Sequence, residues 1–284
     1  VVATPVTLTL GPLAAYNLLA LLAPTLAAFL TFRLCYYLTG RVAPSLVGGF
    51  IFGFSGYMLG QTIGHLNLTL VFLVPLAVHL VLRRIDGAIG RRRFVISIAA
   101  VIAGQALLST ELLLTSVIFG AAGLLAGAIF ADADGRERIR RVTIEILGGG
   151  VFAAVVIAPF LYYALFYNSQ PEFISAARSS MDALNPVVPT PVQRIGRIAF
   201  APVAGTFPGG YAEAGGYLGI AVVLLSGWGL ATTWRTRASR VMLMLLACTV
   251  LASLGTALYI AGHSTISLPW KLLDRRPLLE EVIP

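Results

Sequence analysis

Three polar clusters interrupt an otherwise apolar chain, and each holds residues that could do chemistry. In Gly64-His65-Leu66-Asn67, an imidazole and a carboxamide stand two residues apart. Such a pair could bind a divalent metal, a phosphate or a sugar hydroxyl; equally, it could cap the helices that the turn joins. Ser109-Thr110-Glu111 puts a carboxylate at the start of an apolar run. There it either complements the helix dipole or serves as an acid–base group between two hairpin arms. The third cluster is the stretch 167–216, long for a connection and so a functional candidate.

That stretch opens with Ser169-Gln170-Pro171-Glu172, a capping box with proline in the first turn. Phe173, Ala177, Met181 and Leu184 then recur at helical spacing, which predicts an amphipathic helix lying in the membrane interface. Its polar side presents Arg178 and Asp182; Asn185, Gln193, Arg194 and Arg197 follow, and Glu213 lies in a Gly-rich approach to the next apolar run. An arginine beside carboxylates could hold a lipid phosphate and an acceptor. The same helix could simply cover a bundle. Asn67-Leu68-Thr69 matches a glycosylation sequon, but it lies too near the apolar runs to be an acceptor.

The elements that must position these clusters are long apolar segments. Of 284 residues, 58% are hydrophobic and 11% charged, against roughly a quarter charged in a soluble domain. Mean hydropathy is +0.88. The runs are too long for barrel strands and fit helices that satisfy their own backbone in lipid. Eight spans are expected, at 11–38, 46–60, 68–82, 94–108, 112–130, 142–166, 217–234 and 241–260. The fold class is therefore an all-α, polytopic transmembrane bundle forming one domain over 1–284. Gly49-xxx-Gly53, Gly56-xxx-Gly60 and Gly123-xxx-Gly127 predict close helix contacts, and Pro24, Pro75 and Pro159 predict kinks.

With eight spans the loops alternate sides, and the arginines separate. Arg33, Arg41, Arg83, Arg84, Arg91 to Arg93, Arg136, Arg138, Arg140, Arg141, Arg235, Arg237 and Arg240 all fall on one side. By the positive-inside rule that side is cytoplasmic. The net charge of +8 thus reports topology, and no nucleic-acid partner is expected. Arg33, His79 and Glu145 lie near the basic ends of their spans, where snorkelling suffices. Cys35 and Cys248 read as packing residues. P-loop, GxSxG, HExxH and paired CxxC patterns are absent from the sequence, so no cofactor is indicated beyond a possible divalent metal.

Gly11-Pro12 with Tyr16-Asn17, Gly53-Phe54-Ser55-Gly56-Tyr57, Gly64-His65-Leu66-Asn67 and Ser109-Thr110-Glu111 follow one another in a suggestive order. Met181-Asp182-Ala183-Leu184-Asn185 with Pro189-Thr190, and Tyr217-Leu218-Gly219 after Glu213, extend it. In these motifs the chain resembles bacterial membrane glycosyltransferases of the GT-C superfamily, among them the YfhO-like and related actinobacterial groups. The resemblance implies sugar transfer from a polyprenyl-phosphate donor at the outer face of a bacterial inner membrane, with membrane lipid and that donor as partners. In that superfamily the base is a carboxylate in the first outer loop. The chain is expected to be an internal fragment beginning after that loop, so this base has no matching position and is expected upstream of Val1. Leu268-Pro269-Trp270 through Arg276-Pro277 resembles the approach to a further motif.

The stretch 61–67 would then be the second outer loop, with His65, Asn67 and the catalytic candidate Glu111 lining the cavity. Arg178, Asp182, Asn185 and Glu213 would complete substrate binding. The competing readings are a transporter or lipid flippase, which mid-span charges or an inverted repeat would favour, and a non-catalytic envelope-assembly protein.

Overall fold

The computed structural model describes residues 3–167, 180–210 and 215–272. Its helices in chain order are α1 (Thr4–Leu10), α2 (Pro12–Thr39), α3 (Val42–Gly53), α4 (Gly56–Gly64), α5 (Leu66–Thr69), α6 (Leu73–Ile85) and α7 (Arg91–Leu108). They continue with α8 (Thr110–Phe130), α9 (Ala133–Val156), α10 (Ala158–Phe166), α11 (Ala201–Ala204), α12 (Ile220–Thr233) and α13 (Arg237–Ser253). A hairpin of β1 (Ala257–Ile260) and β2 (His263–Ser267) follows. The chain divides into two compact units, 1–54 with 65–167, and 55–64 with 168–284.

Four segments are long and apolar enough to cross a membrane: Pro12–Thr39, Val42–Gly64, Leu66–Ile85 and Thr110–Phe130. A fifth arises if Ala133–Val156 and Ala158–Ala164 count as one broken span. The protein is thus a helical membrane protein with four or five such spans among the described residues. The later expected spans shrink for physical reasons. α12 has only 14 residues and α13 has 17, short of the roughly 20 that a bilayer core needs. The run expected to end at Ile260 leaves its helix at Ser253 and becomes strand β1, which pairs with β2. α7 has 18 residues but spends its first turn on Arg91, Arg92 and Arg93.

The prolines act in two ways. Pro159 enters at a 74° bend between α9 and α10, because it lacks an N–H and its ring crowds the carbonyl of the preceding turn. Pro24 sits within α2. Pro75 occupies the first turn of α6, where a missing N–H costs nothing, just after the break at 70–72 that interrupts the span Leu66–Ile85.

The first unit shows how apolar sequence becomes packing. Gly49 and Gly53 of α3 lie directly on α2, where an added Cβ would come within 2.5 Å of the Ala28 carbonyl or 2.6 Å of the Pro24 carbonyl. The expected small-residue contact is there. On α9, Val142, Glu145, Gly149 and Ala153 fall on one stripe at helical spacing and are buried. Gly149 brings that stripe against Ile98 and the Val95 carbonyl of α7. Phe94, Ile98, Val101, Leu80, Ile89 and Val142 form the core. The opposite face of α9 exposes Leu147, Val151 and Val155, and α8 exposes Leu114, Val117, Leu125 and Ile129. Faces this apolar are stable against lipid rather than water.

Beyond the bend, α10 carries Tyr162, Tyr163, Phe166 and then Tyr167, whose rings sit 5.2 to 5.9 Å apart and are exposed. The second unit is built differently. The segment after 180 runs in turns, donating Met181 N–H to the Ser253 carbonyl and Ala183 N–H to that of Tyr259.

One interaction ties three helices of the first unit. Arg84 of α6 donates Nε and a terminal nitrogen to the two oxygens of Glu145 on α9, both at 2.7 Å. Arg91, at the start of α7, adds a contact at 3.9 Å. Glu145 is 8% exposed, so it is paired in the interior and does not snorkel. Glu145→Gln is expected to lower stability by about 3 kcal/mol, because it strands the Arg84 charge. Replacing both residues with Met should recover most of that loss. Thermal unfolding in a neutral detergent measures both, and an E145Q protein as stable as wild type would refute the role.

Candidate functional site

Contacts give the first unit two chemically distinct ends. At one end Arg84 meets Glu145, and Tyr37 of α2 donates its hydroxyl to Asp86 at 2.7 Å. These contacts join the C-terminal ends of α2 and α6 to each other and to the middle of α9, beside the basic turns between the helices. Nearby, Glu137 lies in the charged first turns of α9, ahead of the apolar run that begins at Val142. Hydrogen bonds from Arg140 and Arg141 hold its carboxyl down at about 2. At the other end, the break between α5 and α6 leaves the Leu70 carbonyl without a helical partner, and Gln105 of α7 donates to it at 3.4 Å. The polar turns read from the sequence belong to this second end.

His65 stands just before α5 with a non-helical backbone (φ −136°, ψ 69°), and Asn67 lies inside that single turn. Both are exposed. The His65 carbonyl accepts from Leu68 N–H at 2.9 Å, so the turn is braced by its own backbone. Ser109 caps α8, its hydroxyl accepting from Leu112 N–H at 3.3 Å. Glu111 lies in the first turn of α8, exposed, where it favours the helix dipole. The capping role therefore falls to Ser109, and the Glu111 carboxylate is left available at the non-basic end, which it shares with the His65–Asn67 turn.

Asp182 and Asn185 belong to the second unit. The expected interfacial helix does not reach them: Met181 to Leu184 run through turns, and Asp182 bridges to Tyr259. The reason is the carboxylate. Asp182 is 1% exposed. One oxygen accepts from Leu184 N–H at 3.0 Å and Ala261 N–H at 3.2 Å; the other accepts from Gly262 N–H at 2.7 Å. Ala261 and Gly262 form the hairpin tip, with φ of 51° and 81°. Asp182 is thus a clasp on the β1–β2 turn, and its oxygens are spent on backbone. Asn185 donates its N–H to the Asp182 carbonyl at 3.0 Å, while its buried Oδ1 has no partner among the described residues. Arg178, Glu213 and the capping box at 169–172 lie outside the described residues, as do Phe173 and Ala177. Val1 lies outside them too. Glu111 is the catalytic candidate that the structure does place. Among the described residues no three His, Cys, Asp or Glu side chains gather to hold a metal ion.

Residues 10–276 match the model of a family described as a domain of unknown function, DUF6311. The chain belongs to DUF6311. Comparisons with curated proteins and with solved structures find no match. Two features of this DUF6311 chain escape sequence reading: the Arg84–Glu145 pair and the Asp182 clasp. Their partners lie 61 and about 80 residues away, and only a lone acidic residue inside an apolar run hints at the first.

Asp182→Ala is expected to behave as a folding defect. It leaves three N–H groups unpaired, at a cost of about 3 kcal/mol, whereas Asp182→Asn keeps one acceptor and costs less. Limited proteolysis of the hairpin region reads the difference. Unchanged cleavage in Asp182→Ala would remove the clasp from the argument.

Proposed function

We propose that this protein is a membrane glycosyltransferase of the GT-C kind. It moves a sugar from a polyprenyl-phosphate donor to an acceptor hydroxyl at the extracytoplasmic end of the first unit. The observation that carries the reading is Glu111. It is an exposed carboxylate at the start of an apolar helix, at the end away from the arginines, together with His65 and Asn67. The resemblance in the motifs around these residues supplies the reaction class.

In this reading a carboxylate takes the proton of the acceptor hydroxyl as its oxygen attacks the anomeric carbon; the resemblance expects that base upstream of Val1, and Glu111 is the candidate for the role within the given sequence. The bond from that carbon to the phosphate oxygen breaks, and the lipid phosphate leaves with the electron pair. His65 and Asn67 hold sugar or phosphate oxygens through hydrogen bonds. The resemblance supplies the bacterial inner membrane, and the positive-inside rule puts the basic end in the cytoplasm. The bend between α9 and α10 favours a second reading, a lipid or solute translocator, since broken helices recur at transport sites.

Glu111→Gln separates the two. With reconstituted protein and a radiolabelled polyprenyl-phosphate sugar, transfer should fall by on the order of 100-fold or more while expression and donor binding stay normal. Transfer at the wild-type rate would take Glu111 out of the site. Donor movement across vesicles without any transfer would favour the translocator. Sidedness has its own test. Single cysteines at Arg92 and Glu111 should react with an impermeant maleimide from opposite faces of the membrane, and labelling from one face would dissolve the proposed active end.

A further inference from the structure

The basic end of the first unit holds a groove that the proposed reaction does not use. It is about 770 Å³, open on one side, and lies where α2 and α6 adjoin. Phe29, Phe32 and Tyr36 supply apolar walls, and Arg33, Tyr37, His79 and Arg83 supply the polar lining. His79 is 9% exposed, its ring 5.1 Å from that of Tyr37, and its Nδ1 has no partner among the described residues.

The charges do not balance. Asp86 is the carboxylate at this end that neighbours the groove, and it accepts the Tyr37 hydroxyl. Glu145 is taken by Arg84. Among the described residues Arg83 reaches only the Ala88 carbonyl, at 3.4 Å. Arg33 forms no ion pair among the described residues, although it lies six residues before the end of α2, about 9 Å into the helix. From there its exposed side chain reaches the headgroup region by snorkelling, where a lipid phosphate can meet it. The lining offers a phenol, an imidazole and two guanidiniums on aromatic walls. That set matches a phosphate with a hydrocarbon attached.

We infer that this groove binds the phosphate of an anionic lipid from the adjoining leaflet, with Arg33 and Arg83 as its cations and Tyr37 and His79 beside them. The lipid enters through the open side, and its chains lie along Phe29 and Phe32. The site is independent of the sugar-transfer reading, since it stands at the opposite end of the unit.

The test uses the full chain purified in neutral detergent, with dioleoyl-phosphatidylglycerol, dioleoyl-phosphatidylcholine and inorganic phosphate as separate probes. Native mass spectrometry should show the glycerol lipid retained at least tenfold more tightly than the choline lipid. Arg33→Gln and Arg83→Gln should each weaken that retention roughly fivefold. Arg33→Lys should keep most of it, and Arg138→Gln on α9 should change nothing. Inorganic phosphate failing to displace the lipid at millimolar concentration fixes the source as lipid; inorganic phosphate binding just as well overturns the lipid assignment. Equal retention of the two lipids, or full retention in both Gln variants, overturns the site. Arg33 is exposed, so Arg33→Gln decides alone if Arg83→Gln fails to fold.

Discussion

Backbone polar groups removed from water must find partners, and most of this structure follows from that demand. Inside an apolar run a helix meets it residue by residue, so α2 and α8 pass through long hydrophobic stretches without interruption. At some of the places where a helix stops, a side chain takes over. Gln105 covers the Leu70 carbonyl at the break before α6, and Ser109 and Asp132 cap α8 and α9. In the second unit the same demand produces the opposite arrangement, in which Asp182 gathers three N–H groups at the hairpin. A buried carboxylate is normally expensive, yet there it satisfies donors that the bend in the chain leaves behind.

How far the sequence discloses this depends on the range of the interaction. α2 and α8 lie within a few residues of the expected spans, because periodicity and length are local properties. The contact of Gly49 and Gly53 with α2 is legible for the same reason: no other residue lets backbones approach so closely. Long-range pairing is not written locally. Glu145 reads as a residue near a span end until Arg84, 61 positions earlier, closes on it. The run up to Ile260 reads as helix because Ala257, Leu258, Tyr259 and Ile260 are apolar, and apolarity does not separate a helix end from a strand. Asp182 reads as a ligand-binding residue on a helical polar face. Its partners at 261 and 262 belong to a turn that no spacing rule connects to it. Of the candidate site, the turns at His65–Asn67 and Ser109–Glu111 are visible as polar breaks in apolar sequence, whereas their common end becomes visible only through Gln105 and Leu70.

The first unit therefore has a division of labour along its helices. At the basic end three carboxylates are engaged, Glu145 by Arg84, Glu137 by Arg140 and Arg141, and Asp86 by Tyr37. At the other end Glu111 is left to solvent, with no arginine close enough to form an ion pair among the described residues. Such segregation suits a protein whose two aqueous faces meet different chemistry. Between those ends α8 and α9 present exposed apolar faces.

The 74° turn at the close of α9 has a mechanical meaning of its own. With α9 upright, the turn would lay α10 almost flat, and the exposed rings of Tyr162, Tyr163, Phe166 and Tyr167 are of the kind that settles at headgroup level. They act as a waterline for this part of the molecule. Sinking it would drown the phenol hydroxyls in hydrocarbon, and lifting it would strip lipid from the rings, so the depth of α9 is fixed by the short helix beside it.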